Sequence, residues 1–385
     1  MKILSISLFS IALIFSQNKD IDWDQGIYHT QLISFEVKNF SSGYNIPWGM
    51  AFLPSGELLV TDISGVLWRV DKNGQKIQIM NTPNIYYRGQ GGLLDVEIHP
   101  DFERNHLIYL SYSDILYNKQ SHTSIARAVL DNNTLINFQI LYRSPENYFS
   151  KSSLHFGSRI LFDDSGFLYF SIGDRGMRNQ AQDIALPNGK IHRINDDGSI
   201  PTDNPYYNVE GACHTIWTYG NRNPQGLAIH PVTRNIWETE HGPRGGDELN
   251  IVYKGHNYGW PVITYGINYI GTKISDFTHK KGMEQPVWHW TPSIAVCGIK
   301  FYNEGAFKPW KNNLLVTSLK FERLHRLVIK NGKKVDEEII FNAGSRVRDV
   351  EVGPGGFIYV ALENPGRIVK LIPITTIVPS KNISN

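Results

Sequence analysis

Cysteine is almost missing from this chain: Cys213 and Cys297 are the only two among 385 residues. Without paired cysteine spacings a ribbon-type zinc site is excluded, while an oxidising compartment would allow either a disulfide or two isolated thiols. Charge of one sign is missing too. Thirty-eight basic residues against 36 acidic ones leave a net +2 with no long run of either sign, so nucleic acid is not indicated as a partner. Beyond the N-terminus, no apolar run is long enough to cross a bilayer. There is no G-x-S-x-G elbow, no H-E-x-x-H pair and no Rossmann fingerprint opening a helix. Serine-hydrolase, zinc-protease and nicotinamide chemistry therefore lack support.

The first residues, MKILSISLFSIALIFSQNKD, hold one Lys, an apolar run over 3–15 and then Ser16 and Gln17. That reads as a secretory signal peptide over 1–17, with a retained anchor as the alternative. No Cys follows the run, which argues against lipoprotein processing. The mature protein is expected to be periplasmic or secreted, without stable membrane insertion.

Aromatic residues are plentiful (9 Trp, 19 Tyr, 18 Phe) and Gly is frequent, a mixture that favours short strands and tight turns over helices. A degenerate repeat organises them. Six segments share a polar or glycine entry, an alternating apolar strand, a Pro/Asp/Gly turn and a second strand. They are IPWGMAFLPSGELLVTD from Ile46, GGLLDVEIHPDFERNHLIYLSYS from Gly91, FGSRILFDDSGFLYFSIGD from Phe156, NPQGLAIHPVTRNIWETEHG from Asn223, SIAVCGIKFYNEGAFKPWKNNLLVTSL from Ser293 and RVRDVEVGPGGFIYVALEN from Arg346. Third strands follow several of them, from Gly65, Gly189, Arg323 and Gly366. This period predicts an all-β, six-bladed propeller of four-stranded blades, with a sandwich array as the alternative. The propeller is expected over 45–372, after a lead-in at 18–44 and before a tail at 373–385.

In such a ring, residues far apart in sequence face one another at the channel mouth. Gln90, His155, Arg222, Lys320, Arg346 and Arg348 are expected there, on inner-strand edges. Four cations beside one His point to an anionic ligand with several carboxylates or phosphates. His155 is the candidate base. His99 and His230 precede Pro in equivalent turns, His192 and His325 fall in outer strands, and His241 reads as a loop-orienting residue. The stretch over 236–261, IWETEHGPRGGDELNIVYKGHNYGWP, is expected at the end of an inner strand of the fourth blade. Its Gly242-Pro243 turn and the acids Asp247 and Glu248 fit either an oxygen-rich calcium loop or a structural turn. Asp247 and Glu248 are neighbours on a strand, so they point apart and make a poor glycosidase pair.

GQGGLLDVEIHPDF, HFGSR, AQD with GKIHRI, DGSIPTDNP, GNRNPQGLA, EHGPRGGDELN, KGHNYGWP, YGINY, EQPVWHW and SRVRDVEVGP, in this order, carry a resemblance. Over 45–371 the chain resembles the soluble aldose sugar dehydrogenases that use pyrroloquinoline quinone (PQQ), a family that includes soluble glucose and sorbosone dehydrogenases. The resemblance implies PQQ and calcium as cofactors, an aldose substrate oxidised at the C1 hydroxyl, and an external electron acceptor. It implies that His155 is the base, that Gln90, Arg222 and Asn223 contact the quinone, and that Lys320, Arg346 and Arg348 hold its carboxylates. The Gly242 and Pro243 carbonyls match ligands of the cofactor's calcium, and Glu248 with the Tyr258 carbonyl matches a structural calcium site. Leu154 and Cys297 depart from the family pattern, and the loops over 112–121 and 269–283 leave the choice of sugar open. Two other readings remain: a propeller that only binds a protein, and a calcium-dependent lactonase. A monomer or a homodimer is expected.

Overall fold

The computed structural model describes residues 26–374. The signal-peptide reading over 1–17 lies outside the described residues. Six antiparallel sheets are arranged as a six-bladed β-propeller, with the inner strand of each blade beside those of its two neighbours. The inner strands are Pro47–Phe52, Leu93–Ile98, Ile160–Phe162, Pro224–Ile229, Val296–Tyr302 and Val347–Val352. Each begins one to four residues after the start of its repeat, so the repeat marks the blades in register. The second strands are almost wholly buried, as is every residue of Leu58–Asp62, Leu168–Ile172, Ile236–Glu240 and Ile358–Leu362. Faces of adjacent blades bury them from both sides, hence their near-continuous apolar character.

One boundary differs from expectation. Residues 27–44, read from sequence as part of a lead-in, form strands Ile27–His29 and Ser34–Tyr44 on the edge of the last blade, the longer one paired with Gly366–Pro373. The ring therefore closes with strands from both ends of the chain, which satisfies the last blade's exposed edge. Phe35 anchors this closure, fully buried among Tyr28, Phe307 and Trp310 with ring centroids 5.5 to 5.9 Å apart.

Five of the six inner strands carry a register shift close to their entry. A bulge of this kind turns two successive residues toward the same side. Arg348 and Asp349, for example, both reach the channel, which an unbroken strand forbids. In the channel, the buried Arg159 Nη1 donates to Asp95 Oδ1 at 2.9 Å and Asp349 Oδ2 at 3.2 Å, Nε donates to the Gln225 carbonyl at 3.0 Å, and the guanidinium lies 4.6 Å from the Trp48 ring. One side chain of the third blade thus touches the first, second, fourth and sixth. Gly49 and Gly298 make room for the acids: a Cβ on either would fall 2.3 or 2.2 Å from the Oδ1 of Asp95 or Asp349.

Burial pushes both carboxyls up, against the pull of Arg159. Replacing Arg159 by Met strands two buried acids, and breaking such a pair costs about 3–5 kcal/mol. The sign with pH follows from the raised native pKa. An acid that binds its proton more tightly in the native state loses stability as pH rises, so the penalty of Arg159→Met is greatest at alkaline pH and shrinks on acidification. Urea unfolding of both proteins across pH should show this; a small penalty independent of pH would mean that the network is not a structural tie.

Candidate active site

The loops that enter inner strands and those that leave second strands all open at one end of the channel. An acid closes the second strand in five blades: Asp62, Asp114, Asp174, Glu240 and Glu363. Three of these grip the segment entering the same blade. Asp62 accepts from the Asn45 N–H at 2.7 Å, Glu240 accepts from the N–H groups of Arg222 and Asn223, and Glu363 takes both Arg346 and Arg348.

In the third blade the acid takes a side chain instead. Asp174 is buried, and its Oδ1 accepts from His155 Nδ1 at 2.6 Å while its Oδ2 accepts from the Trp260 indole N–H at 2.8 Å. His155 sits at φ +51°, followed by Gly157 and Ser158 also at positive φ, a costly backbone run held by its surroundings. Its N–H donates to Gln90 Oε1 at 2.7 Å. The buried Arg175 guanidinium donates to the carbonyls of Ser152 and Leu154, and stacks 3.5 Å from the Phe156 ring, fixing the loop on both sides of the histidine. Burial holds the His155 imidazole below its ordinary pKa, against the hydrogen bond that it donates to Asp174. Burial alone would raise Asp174, yet His155 and the Arg222 charge hold it below the usual carboxylate range. The dyad is thus neutral imidazole over ionised carboxylate near neutral pH. Nδ1–H faces Asp174, and Nε2 makes no hydrogen bond within the described residues.

A cavity of about 180 Å³ occupies the centre of the mouth. Of the expected residues it gathers Gln90, Asn223, Arg346 and Arg348, and it adds Trp48 and Gln225, which sequence reasoning did not single out. Arg348 Nε donates to Glu363 Oε1 at 2.8 Å and its Nη1 to Gln225 Oε1 at 3.0 Å, and Arg346 Nε lies 2.6 Å from Glu363 Oε2. Two guanidiniums share one carboxylate, which leaves positive charge facing the cavity. Burial would raise Glu363, but the two arginines hold it low. His241 Nε2 donates to Gln225 Oε1 at 3.0 Å, and the imidazole is kept neutral by burial and by Arg348 and Arg222.

Lys320 does not line this cavity. It stands exposed after the second strand Asn313–Ser318, and not on an inner-strand edge as expected, because the fifth blade's Lys replaces the terminal acid of the other blades. The Gly242-Pro243 turn likewise follows the second strand Ile236–Glu240 of its blade, and not an inner strand. The turn is anchored by Asp247 Oδ1, which accepts from the Gly242 N–H at 2.8 Å, and by Arg222 Nη1, which donates to the His241 carbonyl at 2.7 Å.

Gly242, Pro243, Glu248 and Tyr258 meet Arg222 and Trp260 around a second, ion-sized cavity of about 10 Å³. Asp247 and Glu248 do point apart, and they work separately. Glu248 faces the buried Glu240 across the strand pair, with Glu238 opposite Asn250 beside them. Three acceptors or donors here are buried without partners: Glu238 Oε2, Asn250 Oδ1 and Arg222 Nε. Within the described residues, no three His, Cys, Asp or Glu side chains are placed together to hold a metal. Any ion here would rest chiefly on backbone carbonyls.

Both cysteines are free: Cys213 is half-buried near Thr215, and Cys297 is buried with Sγ 3.3 Å from Gln225 Oε1 and 3.4 Å from Arg348 Nη1. Asp174 and Trp260 are the principal residues that sequence reasoning missed. The signal for Asp174 was present, since it ends its repeat where Asp62, Glu240 and Glu363 end theirs; Trp260 arrives from a long loop that no repeat predicts.

The chain is similar to known proteins over most of its length. Residues 44–370 match the Glucose / Sorbosone dehydrogenase family. Aldose sugar dehydrogenase YliI of Escherichia coli is 40% identical over 337 residues, covering 85% of this chain and 90% of that protein. The apo crystal structure of the soluble aldose sugar dehydrogenase from Escherichia coli superposes with a TM-score of 0.84 at 36% identity, over 88% of this chain and 100% of that one. A PQQ-bound aldose sugar dehydrogenase from Streptomyces coelicolor gives 0.73 at 28% identity, over 88% and 98%. With six blades, a cationic mouth and this extent of similarity, the chain belongs to the glucose/sorbosone dehydrogenase family and is an oxidoreductase.

Proposed function

We propose that this protein is a PQQ-dependent aldose dehydrogenase that oxidises the C1 hydroxyl of a sugar to the lactone. The observation that carries the reading is the His155–Asp174 dyad at the edge of a guanidinium-lined cavity. With Nδ1–H bonded to Asp174, the His155 lone pair at Nε2 is left to accept the C1 hydroxyl proton, and the carboxylate stabilises the imidazolium that results. Trp260 and the Gly176 N–H hold the carboxylate still, at 2.8 Å each, so the imidazole keeps one orientation.

The residues present fit the cofactor. Arg346 and Arg348 offer more positive charge than Glu363 neutralises, as a polycarboxylate requires, and Lys320 stands exposed at the rim next to Leu319, which lines the cavity. Arg222, at the smaller cavity, has a buried Nε without a partner, and Gln90 and Asn223 line the larger one. The Gly242 and Pro243 carbonyls would hold the cofactor's calcium, and Glu248 with the Tyr258 carbonyl a structural calcium; the orphaned oxygens of Glu238 and Asn250 beside them support a cation there. A quinone held there would supply the hydride acceptor for sugar C1, and a calcium ion beside it would supply Lewis-acid activation of that acceptor.

Two experiments test this. Protein prepared without cofactor, then given PQQ and calcium, should show a change in the quinone spectrum on adding an aldose and should reduce an artificial acceptor; silence across a panel of neutral aldoses under those conditions would remove the reading. His155→Ala should lower turnover by about two orders of magnitude or more while the PQQ titration stays as in the parent. The lowered His155 pKa adds a pH expectation. The base is unprotonated down to below its ordinary value of about 6.5, so the acid limb of kcat/KM should fall below that point. A limb centred above it, or near-parental turnover in His155→Ala, would dismiss this residue as the base.

A further inference from the structure

The mouth face carries a charge pattern that the site itself does not use. Arg88, Lys119, Lys151, Arg178 and Arg244 are all exposed on loops of this face, spread over the second to fourth blades. None has a carboxylate within ion-pair distance among the described residues. Arg88 lies beside Gln90 through the Arg88–Gly91 bridge, Lys151 stands four residues ahead of His155, and Arg178 lies 5.8 Å from the Trp260 ring. Arg244 pairs its backbone with Ile267 next to the Gly242-Pro243 turn. The acids here are fewer: Asp114 and Glu146 share Arg143 and keep one negative charge between them, Asp276 is paired with Lys273, and Asp183 and Glu322 remain, so the five cations outnumber the unpaired acids. At the opposite end, turns of the second and third blades carry Glu103, Asp131, Asp163 and Asp197. In a chain of net charge +2, the positive rim is therefore a matter of placement.

We infer that this rim is the docking surface for an electron-accepting protein with an acidic face. The inference rests on the dehydrogenase reading. Each sugar oxidised leaves two electrons and two protons on the cofactor; two molecules of a one-electron acceptor protein take the electrons and water takes the protons. The cofactor cavity opens inside the rim, so the acceptor must approach there. A neutral aldose has no charge for these residues to read. The five cations also stand on separate loops of three blades, further apart than one sugar can touch, whereas a protein face can meet several together. Complementary charge of this kind chiefly speeds and orients encounter and is screened by salt.

The test uses the full chain, with PQQ and calcium and without them. It is titrated with the acidic soluble domain of cytochrome b5 and, separately, with basic mitochondrial cytochrome c, and binding is followed by calorimetry. At about 20 mM salt the acidic haem protein should bind and the basic one should not, and at about 0.5 M salt the acidic complex should weaken at least about tenfold. Lys151→Glu/Arg244→Glu should weaken it by a similar factor at low salt and leave glucose turnover with a neutral quinone acceptor unchanged. Equal binding of both haem proteins, no binding of the acidic one, or indifference to salt and to the substitutions would overturn the proposal. So would a higher KM for glucuronate in the double variant with cytochrome binding unchanged, which would make the rim a reader of charged sugars. Absence of glucose turnover in the parent with the neutral acceptor would count against the dehydrogenase reading alone, because cytochrome binding is measured independently of it.

Discussion

A propeller has no central core to hold its blades in register, and here a buried guanidinium takes that part. Arg159 joins the third blade to acids of the second and sixth, to the backbone of the fourth and to an indole of the first. Lys300 of the fifth blade adds a parallel tie to Glu351 of the sixth at 2.8 Å. Such charges are expensive to desolvate, and their value lies less in net stability than in accepting only one arrangement of the strands that surround them. The tight approach of Asp95 to Gly49 and of Asp349 to Gly298 belongs to the same constraint.

That arrangement positions the chemistry a few ångströms further along the channel. The bulged entries that aim Asp349 at Arg159 also aim Arg348 and Gln225 at the cavity, so the structural network and the cavity lining lie on consecutive positions of the same strands. The acids ending the second strands complete the design. Where the acid holds backbone N–H groups it shapes a loop; where it holds an imidazole it fixes a tautomer. One structural position thus serves two ends, according to what the entering loop offers it.

The blade count and the blade limits were legible because each blade repeats the same apolar alternation, and a repeat survives degeneracy at any single residue. The candidate base and the arginines were legible as chemically unusual residues at equivalent points of that repeat. The exceptions have physical causes. The closing strands over 27–44 have no repeat partner in sequence, since the blade they complete begins at the other end of the chain. Lys320 and the Gly242-Pro243 turn were placed on inner strands, although both leave second strands, because the two strand ends come together at the mouth and sequence alone does not separate them.

What the sequence determined by itself is therefore periodic or local: strands, turns, the number of blades, and the residue types at their ends. What only the tertiary structure decided is the pairing. Asp174 with His155 and Trp260, Arg159 with acids of the neighbouring second blade and of the sixth blade across the channel, and the cations that remain unpaired around the mouth all depend on ring closure and on single-residue bulges. A one-residue shift reverses which face a strand residue presents, and no composition or repeat length records it.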